Sequence, residues 1–163
     1  MSDLSLTQTP VAHTAMTIRR PVAEVFAAFI DPEVTTKFWF TRSSGRLEPG
    51  KQVQWDWEMY NVSSQVSVKT IEENKRILIE WSGYGTPTLV EWIFTPLPDQ
   101  ATFVNITNTG FSGTGDECVQ QAIASTEGFT LVLAGLKAFL ENGIVVPLIA
   151  DRFPPDTNDA RGE

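Results

Sequence analysis

One cysteine and one histidine, Cys118 and His13, are all that the 163 residues contain of either type. A lone thiol closes no internal disulfide, and one His with one Cys leaves a zinc site of the usual nitrogen and sulfur type short of ligands. Basic residues are also scarce: 12 Lys and Arg stand against 20 Asp and Glu, for a formal charge of -8, and never reach three in a row. The positive patch that draws nucleic acid or an anionic lipid surface is therefore missing, and neither is expected as a partner. No apolar run reaches the roughly 20 residues of a spanning helix, so no membrane span is expected. Met1-Ser2-Asp3-Leu4 has neither the basic start nor the apolar stretch of a signal peptide. A reducing, cytoplasmic location is the resulting expectation. Phosphate-cradling glycine loops, nucleophile elbows and metal-binding helix motifs are absent too, so no cofactor, metal or catalytic residue is assigned.

What is present is an average globular composition, 42% hydrophobic and 20% charged. A chain of this length buries one core without covalent staples. Residues 1–11, polar and Thr-rich, predict a flexible lead-in, and 12–143 predict a single domain. Residues 144–163 form a tail, its first half expected to lie extended on the domain and 156–163 to be disordered.

Periodicity supplies the elements. The run from Ala12 to Ile18 alternates, with Ala12, Thr14, Met16 and Ile18 on one face and His13 on the other, as a strand does. Pro21 suits a first helical turn, and Val22, Val25, Phe26 and Phe29 recur at helical spacing until Asp31-Pro32 interrupts them. Pro32 then opens a second short helix reaching about Trp39. Five strands joined by short turns follow. Their inward positions are Val53, Trp55, Trp57 and Met59; Val66 and Val68; Ile77, Ile79 and Trp81; Val90, Trp92 and Phe94; and Thr102, Val104 and Ile106. Asp56, Glu58, Glu80 and Glu91 fall on the opposite, solvated face. Asp116 predicts the cap of a helix over 116–142 that Gly143 stops. Val119, Ile123, Thr126, Phe129, Leu133, Leu136 and Leu140 form its apolar stripe, widened by Val132 and Phe139.

Local motifs narrow this α+β order to a family. Arg20-Pro21-Val22-Ala23-Glu24-Val25-Phe26, Thr107-Asn108-Thr109-Gly110-Phe111, Glu127-Gly128-Phe129 and Leu136-Lys137-Ala138-Phe139-Leu140-Glu141 stand in the expected sequence, followed by Asp151-Arg152-Phe153-Pro154. Over residues 12–155 the chain resembles the Hsp90-ATPase-activator-like branch of the START/Bet v 1 superfamily. The resemblance implies a helix-grip fold, in which a curved antiparallel sheet wraps around a long C-terminal helix and two short helices follow the first strand. It also implies a cavity between sheet and helix, where members bind lipids, sterols, hormones or polyketides and a minority catalyse cyclisation or dehydration.

Four of the five tryptophans, Trp55, Trp57, Trp81 and Trp92, lie on predicted inward faces. Each can bury about 150 to 250 Å², worth roughly 4 to 6 kcal/mol, so core packing alone would account for them. A dry apolar void of about 300 Å³ would cost on the order of 7 kcal/mol, so any cavity must be closed by side chains or filled by water or ligand. The favoured expectation is a non-catalytic binding domain for a small, largely apolar molecule. Its lining is expected to be Trp39, Phe40, Trp55, Trp57, Trp81, Trp92, Phe94, Ile106, Asn108, Phe129 and Leu133. A cyclase or dehydratase would need an inward acid or base, for which Asn108, Tyr60, Tyr84 and Glu127 are the candidates. A third reading is a co-chaperone-like module with a protein partner on the exposed sheet face or the acidic surface. Gly128 and Gly135 share a helix face at about 1 kcal/mol each relative to Ala. Either they allow close contact with a short helix or the tail, or they widen the cavity.

Overall fold

Alternation carries through into real strands. The computed structural model describes residues 4–84 and 86–155. Among them, β1 (Ala12–Ile18), β2 (Arg42–Ser43), β3 (Gln52–Trp57), β4 (Val62–Glu72), β5 (Arg76–Tyr84), β6 (Thr86–Leu97) and β7 (Ala101–Thr109) form one antiparallel sheet in the order β1-β7-β6-β5-β4-β3-β2. Helices α1 (Val22–Ile30) and α2 (Pro32–Thr35) follow β1, α3 (Gly115–Asn142) follows β7, and α4 (Leu148–Arg152) lies in the tail. This is the predicted helix-grip order. The two-residue β2 pairs with Asp56 and Trp55 of β3 and was not predicted, because two residues carry no period.

The inward positions come out as predicted, with Val53, Trp55, Val66, Val68, Ile77, Ile79, Trp81, Val90, Trp92, Phe94, Val104 and Ile106 all buried. Trp57 is only half-buried, and β3 stops there: a 3-10 turn, Glu58–Tyr60, takes over and Asn61 closes it at φ 54, which removes Met59 from the strand. Asp56 departs from its expected solvated state. It faces outward but is buried, because the Ser63 hydroxyl (2.6 Å), the Gln54 amide (2.8 Å) and the Arg42 guanidinium (2.9 Å) all donate to its carboxylate. Those bonds hold its carboxyl at about 2, below the ordinary carboxylate range.

Asp31 caps α2, its carboxylate accepting from the Glu33 N–H at 3.0 Å. Regular helix ends at Thr35, and tighter turns, with Lys37 N–H donating to the Val34 carbonyl (2.9 Å) and Phe38 N–H to the Thr35 carbonyl (3.1 Å), deliver the chain to Trp39. The cap of the long helix stands two residues before the expected one. Thr114 caps it in a reciprocal box with Glu117, while Asp116 accepts from the Leu4 N–H instead. Its N-terminal half is also rotated from the predicted stripe: Cys118, Ala122 and Ser125 are buried, whereas Ile123 is 59% exposed. Small residues win there because that half lies close on β1, with Cys118 and Ala122 packed around Ala12 and Phe111. Further along, Phe129, Val132, Leu133 and Leu136 enter the main core as expected. By length and composition alone α3 could cross a membrane; here these four residues face the concave side of the sheet.

Two attachments fix the C-terminal end of α3. Lys137 donates to the Thr17 carbonyl and to Glu141, which also accepts from the Arg19 N–H. Burial works to raise the Glu141 carboxyl, but these donors outweigh it and hold it below its usual range. The tail corrects another expectation. Rather than lying extended it forms α4 after Pro147, with Ile149 against the core, and the Tyr60 hydroxyl reaches the carbonyls of Ile149 (3.2 Å) and Phe153 (2.6 Å). The expected disorder of 156–163 lies outside the described residues.

Candidate functional site: an aromatic cluster between sheet and helix

Trp39 is delivered by the turn after α2 into the mouth of the sheet, and most of the expected lining residues gather on it. Its ring centroid lies 4.8 Å from Trp55, 5.5 Å from Phe129, 5.6 Å from Phe40, 5.9 Å from Trp81, 6.1 Å from Trp92 and 6.4 Å from Trp57. Phe40 stacks on Trp55 at 4.6 Å, and Phe129 of α3 meets Trp81 and Trp92 at 5.8 and 6.1 Å. Tilted and edge-on geometries dominate, as ring quadrupoles favour. Phe94 stands one step outside this group, reaching it through Phe29, while Ile106 and Leu133 are buried in the same core.

Asn108 is brought to the same interior but its amide is already engaged. It donates to the Thr88 hydroxyl (2.9 Å) and the Leu89 carbonyl (2.7 Å), and its oxygen accepts from the Ser125 hydroxyl (2.8 Å). Its neighbours place this buried polar chain where the main core meets the small cluster around Ala12 and Phe111. Two of the other acid-base candidates are likewise committed. The Tyr60 hydroxyl holds the tail and Glu127 pairs with Arg152 at the surface; the Tyr84 side chain lies outside the described residues. His13 is exposed and bonded to Asn105. Among the described residues no group of three or more His, Cys, Asp or Glu could hold a metal ion.

Three buried polar atoms have no hydrogen-bond partner among the described residues: the indole nitrogens of Trp81 and Trp92 and the Ser64 hydroxyl. Each such group left unpaired costs about 1 to 3 kcal/mol. Ser64 and Thr88 were missed from the sequence, although each shares the parity of inward neighbours, Val66 and Val90. Their small polar side chains hid them among outward residues. Phe29 and Phe38 join the aromatic cluster without having been expected there, because nothing in a helical stripe says which ring reaches across to the sheet.

The two glycines differ in what surrounds them. A Cβ on Gly135 would stand 3.1 Å from the Phe38 Cβ, so that glycine allows the approach of the turn after α2; one on Gly128 would meet nothing within 4 Å. A surface cleft of about 230 Å³ runs beside the cluster, lined by Thr36 to Trp39, Thr41, Met59 and residues 145–150. On the far side of α3, Pro10, Val11, Val119 and Ile123 line an open apolar groove.

The family profile described as "Activator of Hsp90 ATPase homolog 1-like protein" matches residues 19–141. No curated protein matches the chain. Among solved structures, protein SSP2350 from Staphylococcus saprophyticus is 29% identical, with a TM-score of 0.72 over 85% of this chain and 99% of that one. The Aha1 dimer from Colwellia psychrerythraea is 18% identical, with a TM-score of 0.70 over 82% of this chain and 98% of that one. CalU16 from Micromonospora echinospora is 16% identical, with a TM-score of 0.65 and 97% of each chain covered.

Proposed function

Since this chain belongs to the activator of Hsp90 ATPase homolog 1-like family and carries the helix-grip fold, we propose that it is a non-catalytic binding domain for a small, largely apolar molecule. The molecule sits between the sheet and α3. One observation carries the reading: Trp39 is at once the hub of the aromatic cluster and a wall of the surface cleft. Its backbone is held by a turn rather than by strand pairing, so a guest entering from the cleft meets first the ring with the least regular anchorage. A cyclase or dehydratase would need an acid or base among these rings, and of the side chains considered for that role Asn108, Tyr60 and Glu127 are engaged elsewhere.

The test is binding of a broad set of apolar probes, including fluorescent fatty-acid and sterol analogues, to wild type, Trp39→Ala and the core control Val66→Ala. Wild type binds at least one probe, and Trp39→Ala changes that affinity several-fold while Val66→Ala changes stability alone. Wild-type protein that binds none of them overturns the reading. The protein-interaction module would then lead, supported by the exposed apolar groove at Val11 and Ile123 and by the dimeric state of the Colwellia psychrerythraea neighbour.

A further inference from the structure

The first half of α3 turns its small side chains to the sheet and its larger apolar ones outward. Cys118, Ala122 and Ser125 are buried there, while Val119 is half-buried and Ile123 is exposed. Close packing on β1 accounts for the small residues inside. It leaves the outer positions unexplained, since the solvated face of a surface helix is ordinarily polar or charged. Pro10 and the exposed Val11 stand beside them and complete an open apolar groove of about 610 Å³. From this outward apolar stripe and the charge around it, we infer that the groove docks a basic amphipathic helix of a partner protein. The groove lies on the far side of α3 from the ring cluster, so the inference stands apart from the apolar-binding reading.

Charge chooses the occupant. From Gly115 to Leu136 the helix carries Asp116, Glu117 and Glu127 and no Lys or Arg, and Glu127 lines the groove itself. Arg152 offsets Glu127, yet the whole chain still carries -8. A second copy would bring the same acids to the same place, and an anionic membrane would be repelled as well. Area argues against a second copy too. Val119 to Thr130 is about 17 Å of helix, so at a width of about 10 Å the groove offers on the order of 200 Å², far below the roughly 800 Å² per partner of a stable dimer. That area suits one face of a short helix that docks reversibly. Backbone chemistry favours a helix over an extended segment. The Thr126 hydroxyl donates to the Ala122 carbonyl (2.8 Å) and the Thr130 hydroxyl to the Thr126 carbonyl (2.7 Å), so the hydroxyls of the wall are already engaged. An extended segment would bury backbone groups against side-chain carbon, whereas a helix satisfies its own. Apolar residues at i, i+3 or i+4, and i+7 of the partner meet Val11, Val119 and Ile123, and its flanking Lys or Arg face the acids.

The test is selection of peptides of about 14 residues, short enough to be marginal helices alone, from an unbiased display library on the full chain. Synthetic winners are then measured by fluorescence anisotropy. Enriched sequences carry net positive charge with apolar residues at helical spacing, and circular dichroism shows their helix content rising on binding. Ile123→Asp and Val11→Asp each weaken binding about tenfold or more, and an approximately tenfold rise in salt weakens it several-fold. Acidic or unpatterned winners, no enrichment at all, or equal binding to both variants overturns the inference. So does a concentration-dependent dimer in sedimentation that Ile123→Asp abolishes, which would give the groove to a second copy. Should an aspartate variant fail to fold, Ile123→Gln, polar, uncharged and compatible with a helix, takes its place.

Discussion

Asp56 points away from the core and is nonetheless covered, because Ser63, Gln54 and Arg42 all donate to it. A carboxyl held at about 2 contributes stability that is fully present above the unfolded value near 4 and is lost as pH falls toward 2. Wild type is therefore expected to exceed Asp56→Asn in stability at pH 6, the gap closing between about pH 4 and pH 2; denaturant midpoints across that range measure it. A gap independent of pH would show that the carboxylate's charge is not what the three donors hold. The glycines of the long helix part company in the same way. Gly128→Ala meets open space and should stabilise by up to about 1 kcal/mol, whereas Gly135→Ala presses on Phe38 and should gain nothing or lose, as urea unfolding would report. Alternation correctly placed Asp56 on the outer face, yet its burial was invisible, since the covering Arg42 arrives from a strand too short to have a pattern.

At the scale of elements, the strands were legible because each has one wet and one apolar side, and a period of two leaves little freedom in phase. The long helix was legible in extent but not wholly in rotation. Where it nears β1, size rather than hydropathy chooses the buried face, so Cys118, Ala122 and Ser125 displace Val119, Ile123 and Thr126. The tail was misjudged because its five-residue helix depends on a contact far away in sequence: the Tyr60 hydroxyl on Ile149 and Phe153. Tyr60→Phe removes those bonds and should cost about 1 kcal/mol. Hydrogen exchange should quicken in 148–153 while the sheet amides keep their protection. Unchanged exchange in the tail would mean that Ile149 packing and the Arg152 to Glu127 pair suffice to hold it.

At the scale of the whole molecule, the order of elements announced the fold, and the meeting of Trp55, Trp57, Trp81 and Trp92 in one cluster was foreseen from inward parity. The unpaired indole nitrogens were not, since hydrogen-bond satisfaction is a property of the assembled interior and leaves no trace in spacing. The same assembly has a spectroscopic consequence. All four other tryptophans lie within 6.4 Å of Trp39, close enough for their transition dipoles to couple and for excitation to pass among them within the lifetime of the excited state. The five indoles therefore absorb and emit as one antenna rather than as independent reporters. Replacing Trp39 would reshape the near-ultraviolet dichroism of the whole set, and a guest touching any one ring would be seen by them all.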